Sequence, residues 1–272
     1  MKANGFTFTT IDLGPNKGEL VLFLHGFPQF ADSWLPIMEA VAAAGYRAVA
    51  FDQRGYSPGA RPSELDAYKV SKLTSDALAI ADALNRKRFH LVGHDWGALL
   101  AWQIASDHPE RVLTLTVLAV PHPAAFLHAV KTDFDQMNRS KYILFFKMPG
   151  HLAEKFFLAD DAAQLRKVYQ GNFSDEEIGN NVRRLAEPGA LTAALNWYRA
   201  LDLGHKTGKV GVPTLYLWGD RDMALGEKGA LDTEKYVTGP YRFERLSGVS
   251  HWIVEEVPER VTALLLAQLA RG

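Results

Sequence analysis

Four short apolar runs mark the first 120 residues: Leu20–Leu24, Tyr46–Phe51, Phe89–Val92 and Leu113–Val120. Their hydrophobicity is continuous rather than alternating, the pattern of parallel strands covered by helices on both faces. Between the second and third runs, Val70, Leu73, Ala77, Ile80, Ala81 and Leu84 recur three and four residues apart, which predicts an amphipathic helix. Ala98 to Ala105 reads as another helix, buried along much of its length. The opening MKANGFTFTTIDLG alternates apolar and polar residues. After Pro121 the pattern changes. Residues 124–208 carry helical periods and no convincing strand, with breaks at MPG (148–150) and EPG (187–189). Strand signals return at VPTLYLWG (212–219) and YRFERL (241–246). A last helix begins at Pro258, in the favoured first-turn position, and continues through Val261, Leu264, Leu265 and Leu269. The expected architecture is a doubly wound α/β core, residues 1–123 and 209–272, interrupted by a helical cap at 124–208.

Composition narrows the partners. A chain of 272 residues suits one large domain or a core with an inserted piece. The formal net charge is −1, and no Lys/Arg cluster is interleaved with aromatics, so neither nucleic acid nor a membrane is an expected partner. No cysteine is present, which removes disulfides, thiolate zinc sites and cysteine nucleophiles and fits a reducing compartment. The opening stretch lacks a signal peptide's apolar region, and no apolar run reaches the roughly 18 residues of a membrane helix. A cytoplasmic location is expected.

Two pentapeptides compete as the site of a nucleophile: GYSPG at 55–59, centred on Ser57, and GHDWG at 93–97, centred on Asp95. A nucleophile elbow is a tight strand-to-helix turn that holds one side chain above the carboxyl ends of the strands. Before Ser57 the apolar run ends at Phe51, too early, and the Pro58–Gly59–Ala60–Arg61–Pro62 that follows cannot start a helix packed on the sheet. Ser57 belongs to a loop. Around Asp95 the strand FHLV leads into Gly93, and Gly97 leads into the helix ALLAWQIA. An aspartate there could also be a simple helix cap, so neighbouring signals matter.

Three signals favour a nucleophile. HGFP at 25–28 follows the first strand, where the backbone N–H of Phe27 can join that of Trp96 in an oxyanion hole. His251, in SGVSHWI, falls on the loop after the last strand, following nucleophile and acid in chain order. Among the other histidines, His25 and His94 lie inside motifs where they buttress loops. His90, His108, His122, His128, His151 and His205 have no catalytic signature beside them. Asp222, in WGDRD, lies past the Thr214–Trp218 strand and can orient His251, with Asp220 as its rival. AVPHP, after the Leu113–Val120 run, supplies no carboxylate. The expected constellation is Asp95–His251–Asp222.

HGFP, DQRGYS, GHDWG, WGDRD and SGVSHW stand in the order and approximate spacing of the α/β-hydrolase-fold epoxide hydrolases, and the chain resembles that family over nearly its whole length. The resemblance implies two cap tyrosines that donate to the epoxide oxygen. The matching positions are Tyr142 in YILFFKMPG and Tyr198 in LNWYRAL. Ile143 departs from the polar residue that related sequences often carry after the first tyrosine.

An aspartate elbow has its own chemistry. Carboxylate needs no base at neutral pH, and its attack on saturated carbon leaves an ester that water can cleave. Epoxide opening and halide expulsion both fit. A haloalkane dehalogenase resembles the chain in its Asp–Trp elbow, with Trp96 as a halide donor, but its second donor is commonly asparagine where Phe27 stands. A fluoroacetate dehalogenase usually carries arginine at the position of Trp96. A non-catalytic binding module on the same fold is the alternative from another class. The expected partners are water and an apolar aliphatic or aryl epoxide, bound among Phe30, Trp34 and Phe145, by a monomer or homodimer without a metal or organic cofactor.

Overall fold

The computed structural model describes residues 1–169, 171–202 and 206–272, so His205 lies outside the described residues. A short ribbon of β1 (Lys2–Ala3) and β2 (Phe6–Thr7) precedes a seven-stranded sheet. Its strands are β3 (Thr10–Leu13), β4 (Leu20–Leu24), β5 (Arg47–Phe51), β6 (Phe89–His94), β7 (Val112–Leu118), β8 (Thr214–Gly219) and β9 (Tyr241–Leu246). They lie in the order β3-β5-β4-β6-β7-β8-β9, with β3 antiparallel to β5 and every other pair parallel. The alternating opening thus supplies the ribbon and an edge strand, and the continuous apolar runs supply the buried centre.

The two faces divide β4 by its period of two. Val21 and Phe23 pack with Trp34, α1 (Leu35–Ala43) and α12 (Pro258–Leu269). Leu20, Leu22 and Leu24 face α2 (Val70–Ala83) and α3 (Trp96–Asp107). Among the described residues, the helices between β7 and β8 are α4 (Pro123–Thr132), α5 (Phe134–Arg139), α6 (Lys141–Phe146), α7 (Leu152–Tyr169), α8 (Asp175–Leu185) and α9 (Ala190–Arg199). α7 is interrupted by non-helical backbone at Ala159–Ala162. Later come α10 (Glu227–Asp232) and α11 (Ile253–Glu256). Among the described residues no helix is long and apolar enough to cross a membrane.

The inserted helices are fastened to core loops by polar contacts. Trp197 Nε1 donates to Arg54 O at 2.8 Å, Tyr169 Oη to Pro28 O at 2.6 Å, and Arg184 pairs with Asp52 at 2.5 Å. The sheet order decides what they cover. The chain steps outward from β4 to β5 and then returns past β4 to β6. Loops leaving the carboxyl ends of β4 and β6 therefore turn apart, and a crevice opens between them.

Candidate active site

Both loops at that crevice carry sequence-identified motifs. β6 ends at His94 and α3 begins at Trp96, so Asp95 alone makes the turn, with φ 51° and ψ −120°. Such a backbone costs a side-chain-bearing residue about 1–3 kcal/mol and persists only where its surroundings enforce it. The flanking glycines are what allow the turn to pack. A Cβ on Gly93 would lie 2.3 Å from Gly97 O, and one on Gly97 would lie 2.0 Å from Leu24 O.

Asp95 does not cap α3, since its side chain makes no bond to the helix amides. It points into the crevice. Oδ1 accepts from the backbone N–H of Phe27 at 2.7 Å, and Oδ2 lies 3.5 Å from His251 Nε2. The N–H of Trp96 opens α3, where no earlier helical carbonyl exists to receive it. Gly26 makes the approach possible, for a Cβ there would sit 2.3 Å from Asp95 Cβ. Ser57, at the centre of the rival pentapeptide, is fully buried as a loop pin. Its Oγ donates to Asp52 O at 2.5 Å and accepts from Thr9 N at 2.9 Å.

His251 meets Asp222 on its other side, Nδ1 to Oδ2 at 2.8 Å. Asp222 Oδ1 accepts from the backbone N–H groups of Ala224 and Leu225 at 2.7 and 2.9 Å, which fixes the carboxylate's orientation. Asp220 turns away, toward Gly248 N at 2.8 Å and Arg245 at 3.5 Å. Burial works against a charged His251, but Asp222 and then Asp95 outweigh it and raise the imidazole to about 10. Burial would likewise raise Asp95, yet His251, His94 and the Phe27 N–H hold it below the ordinary carboxylate range. The His251 ring thus sits between Asp222 and Asp95, with its charged form favoured.

Tyr142 on α6 and Tyr198 on α9 close the crevice, their rings 6.1 Å apart. With Asp95 and His251 they line a cavity of about 390 Å³, walled by Phe145, Phe146, Phe157 and Trp252, within the range of small-molecule sites. A smaller space of about 60 Å³, lined by Trp96, Leu99 and Ile143, lies against the same Asp95 and tyrosines. Burial, and then the charge of Asp95, push both tyrosines well above their ordinary range. Both hydroxyls are therefore proton-bearing donors.

Phe145 lines this cavity as expected, but Phe30 and Trp34 do not. Trp34 packs against Phe23 at 5.2 Å on the opposite face of the sheet. Phe30 lies under the Arg184 guanidinium at 3.6 Å, beside His25 and Tyr56. The loop after Pro28 descends from the crevice into a 3-10 turn at Ala31–Trp34 and carries both rings away. Walls that the sequence pattern does not identify include Phe146, Phe157 and Trp252. Phe146 and Trp252 each adjoin an identified site residue, which was the available signal. His25 and His94 do buttress loops: His25 Nε2 accepts from Gln53 N at 3.1 Å, and His94 Nε2 contacts His251 O at 2.9 Å.

Comparison with known proteins identifies the fold family. The model of the alpha/beta hydrolase fold family matches residues 19–258. The chain belongs to that family. It is 32% identical to the AB hydrolase superfamily protein YfhM of Bacillus subtilis, over 99% of this chain and 96% of the other. It is 33% identical to epoxide hydrolase 4 of Mus musculus, over 99% of this chain and 78% of the other. The crystal structure of a Bacillus megaterium epoxide hydrolase bound to an inhibitor superposes with a TM-score of 0.91 at 28% identity, covering 99% of each chain. The likeness to epoxide hydrolases seen in five motifs thus extends over the whole chain.

Proposed function

We propose that this protein is an epoxide hydrolase that converts an apolar epoxide and water to a vicinal diol through an ester on Asp95. The observation that carries the reading is that Tyr142 and Tyr198 face the same apolar cavity as Asp95 and His251. A carboxylate beside two protonated phenols suits a leaving oxygen that stays attached to the substrate and must be protonated.

In the first step Asp95 Oδ2 attacks an epoxide carbon. The carbon–oxygen bond of the ring breaks, and the oxygen takes a proton from Tyr142 or Tyr198. Oδ1 becomes the ester carbonyl, already facing the Phe27 N–H. Esterification removes the Asp95 charge, one of the groups that keep His251 protonated. The imidazolium then returns a proton to the tyrosinate and becomes a base. In the second step neutral His251 takes a proton from water as its oxygen adds to Asp95 Cγ. The oxyanion on Oδ1 is held by the N–H groups of Phe27 and Trp96. Collapse breaks the Cγ–Oδ2 bond, the departing oxygen takes the proton of the newly added hydroxyl, and the diol is released. Asp95 returns as carboxylate, with imidazolium beside it and both phenols protonated, as at the start.

Dehalogenation is less well supported. The Phe27 side chain offers no N–H to a halide and packs edge-on against Phe146 and Tyr198, each at 5.6 Å. The test is styrene oxide turnover by the Tyr142→Phe, Tyr198→Phe double variant. Loss of about 100-fold or more in ring opening, with the melting temperature kept, supports the role of the two phenols. Unchanged turnover removes it.

A further inference from the structure

Behind His251, on the side away from Asp95, a line of polar groups runs to a carboxylate that the proposed chemistry does not use. Gln29, fully buried, places Nε2 2.5 Å from Glu255 Oε1 and Oε1 2.9 Å from His94 Nδ1. His94 Nε2 in turn lies 2.9 Å from the backbone O of His251. Glu255 Oε2 is buried and, among the described residues, has no hydrogen-bond partner. Four groups on the β4 loop, the elbow, the His251 loop and α11 thus form one chain.

Hydrogen counting exposes a conflict in that chain. As placed, both partners of His94 are acceptors, Gln29 Oε1 and His251 O, so each ring nitrogen must carry hydrogen. Burial, and then the charge of His251, lower His94 to about 4, which leaves the ring neutral with one N–H. Turning the Gln29 amide end over end exchanges its oxygen and nitrogen within the same space. Gln29 Nε2 then donates to His94 Nδ1, and the single His94 N–H, on Nε2, donates to His251 O. Gln29 Oε1 now faces Glu255 and needs a donor there. A protonated carboxyl is that donor, and burial raises Glu255 to about 8, so it holds its proton at neutral pH.

We propose that Glu255 is a positioning residue for His251: protonated, it aligns Gln29 and His94 as successive donors ending on the His251 carbonyl, and ionised, it reverses Gln29 and removes that last bond. The inference rests on reading His251 as the base of the second step. Other groups around Glu255 act on its charge. Glu177 and Asp32 face it across a space of about 300 Å³ lined also by Ser33, Asn180 and Asn181. Arg184 is occupied with Asp32 and Asp52 at 2.9 and 2.5 Å. The Tyr169 hydroxyl is committed to Pro28 O, and Glu256 to Ser250 N at 3.0 Å. The Glu255 backbone N–H, by its hydrogen bond, and then His251, by its charge, favour the ionised form.

Two readouts test this. In protein labelled with ¹⁵N-histidine, His94 is expected to show a protonated Nε2 and a bare Nδ1 at pH 6.5. That signal should change through about pH 8 in the wild type and persist in Glu255→Gln, whose amide can donate but cannot ionise. Doubly protonated His94 at pH 6.5, or the same change in Glu255→Gln, overturns the proposal whether or not the protein turns over any epoxide. In single-turnover decay of the ester, the wild type is expected to lose about tenfold in rate as Glu255 ionises, the effect of one ordinary hydrogen bond, relative to Glu255→Gln at each pH. Glu255→Leu should show the reduced rate already at pH 7. Parallel wild-type and Glu255→Gln profiles overturn the proposal, and so does a wild-type rate at pH 7 in Glu255→Leu.

Discussion

The backbone N–H of Phe27 donates to Oδ1 of Asp95 at 2.7 Å, which distinguishes the two oxygens of one carboxylate before any substrate binds. Oδ2 is left to face His251 and the cavity. This division depends on Gly26, whose missing side chain leaves room for the Asp95 carboxylate. In Gly26→Ala the new Cβ would meet Asp95 Cβ at 2.3 Å and Oδ1 at 2.5 Å. We expect kcat to fall about 100-fold or more, the effect of losing one oxyanion donor, together with a lower melting temperature. Steady-state kinetics and calorimetry on the variant check this, and an unperturbed kcat would contradict it.

Asp222 and Asp220 provide a paired comparison. Only Asp222 reaches His251. Asp222→Asn should reduce kcat by about 10⁴-fold, since the amide can present its N–H to the ring and favour the wrong tautomer. Asp220→Asn breaks a surface contact and should leave kcat within about twofold. Equal losses in the two variants would remove the assignment.

Stability should fall as pH rises from 6.5 to 10. His251 is raised from 6.5 to about 10, so its contribution is complete below 6.5 and is lost as pH rises through about 10. Glu255 is raised from 4.5 to about 8, so its contribution is complete below 4.5 and disappears as pH rises through about 8. Asp95 is lowered from 3.8, so its contribution is present above 3.8 and is lost only as pH falls through its folded value. Melting temperatures measured across this range should decline toward pH 10, and Glu255→Gln should flatten the part near pH 8. A melting temperature that rises toward alkaline pH would contradict the directions assigned to His251 and Glu255.

The sheet was legible because its central strands are buried on both faces, and continuous apolar runs such as Leu20–Leu24 and Phe89–Val92 leave few alternatives. The elbow was legible because a tight strand-to-helix turn requires Gly93 and Gly97 at fixed positions about Asp95. Spacing ranks Asp222 over Asp220, but the choice becomes evident only where Oδ1 meets the Ala224 and Leu225 amides and Oδ2 meets His251. The direction of the loop after Pro28 was not legible. No period constrains an irregular segment, so the sequence places Phe30 and Trp34 at the cavity while packing carries them below it. The Glu255–Gln29–His94 chain escaped for a similar reason: its members are distant in sequence and meet only after the loops of β4, β6 and β9 have folded together.

The proposed reaction has Asp95 open an epoxide ring to a covalent ester that His251 helps to hydrolyse. The most direct measurement is intact-protein mass spectrometry of His251→Gln incubated separately with styrene oxide and with a bromoalkane, followed by peptide mapping. An addition of one styrene oxide is expected on the peptide carrying Asp95, accumulating because the second step is slowed. An adduct on another residue, diol formed without any adduct, or an alkyl adduct from the bromoalkane alone would contradict it.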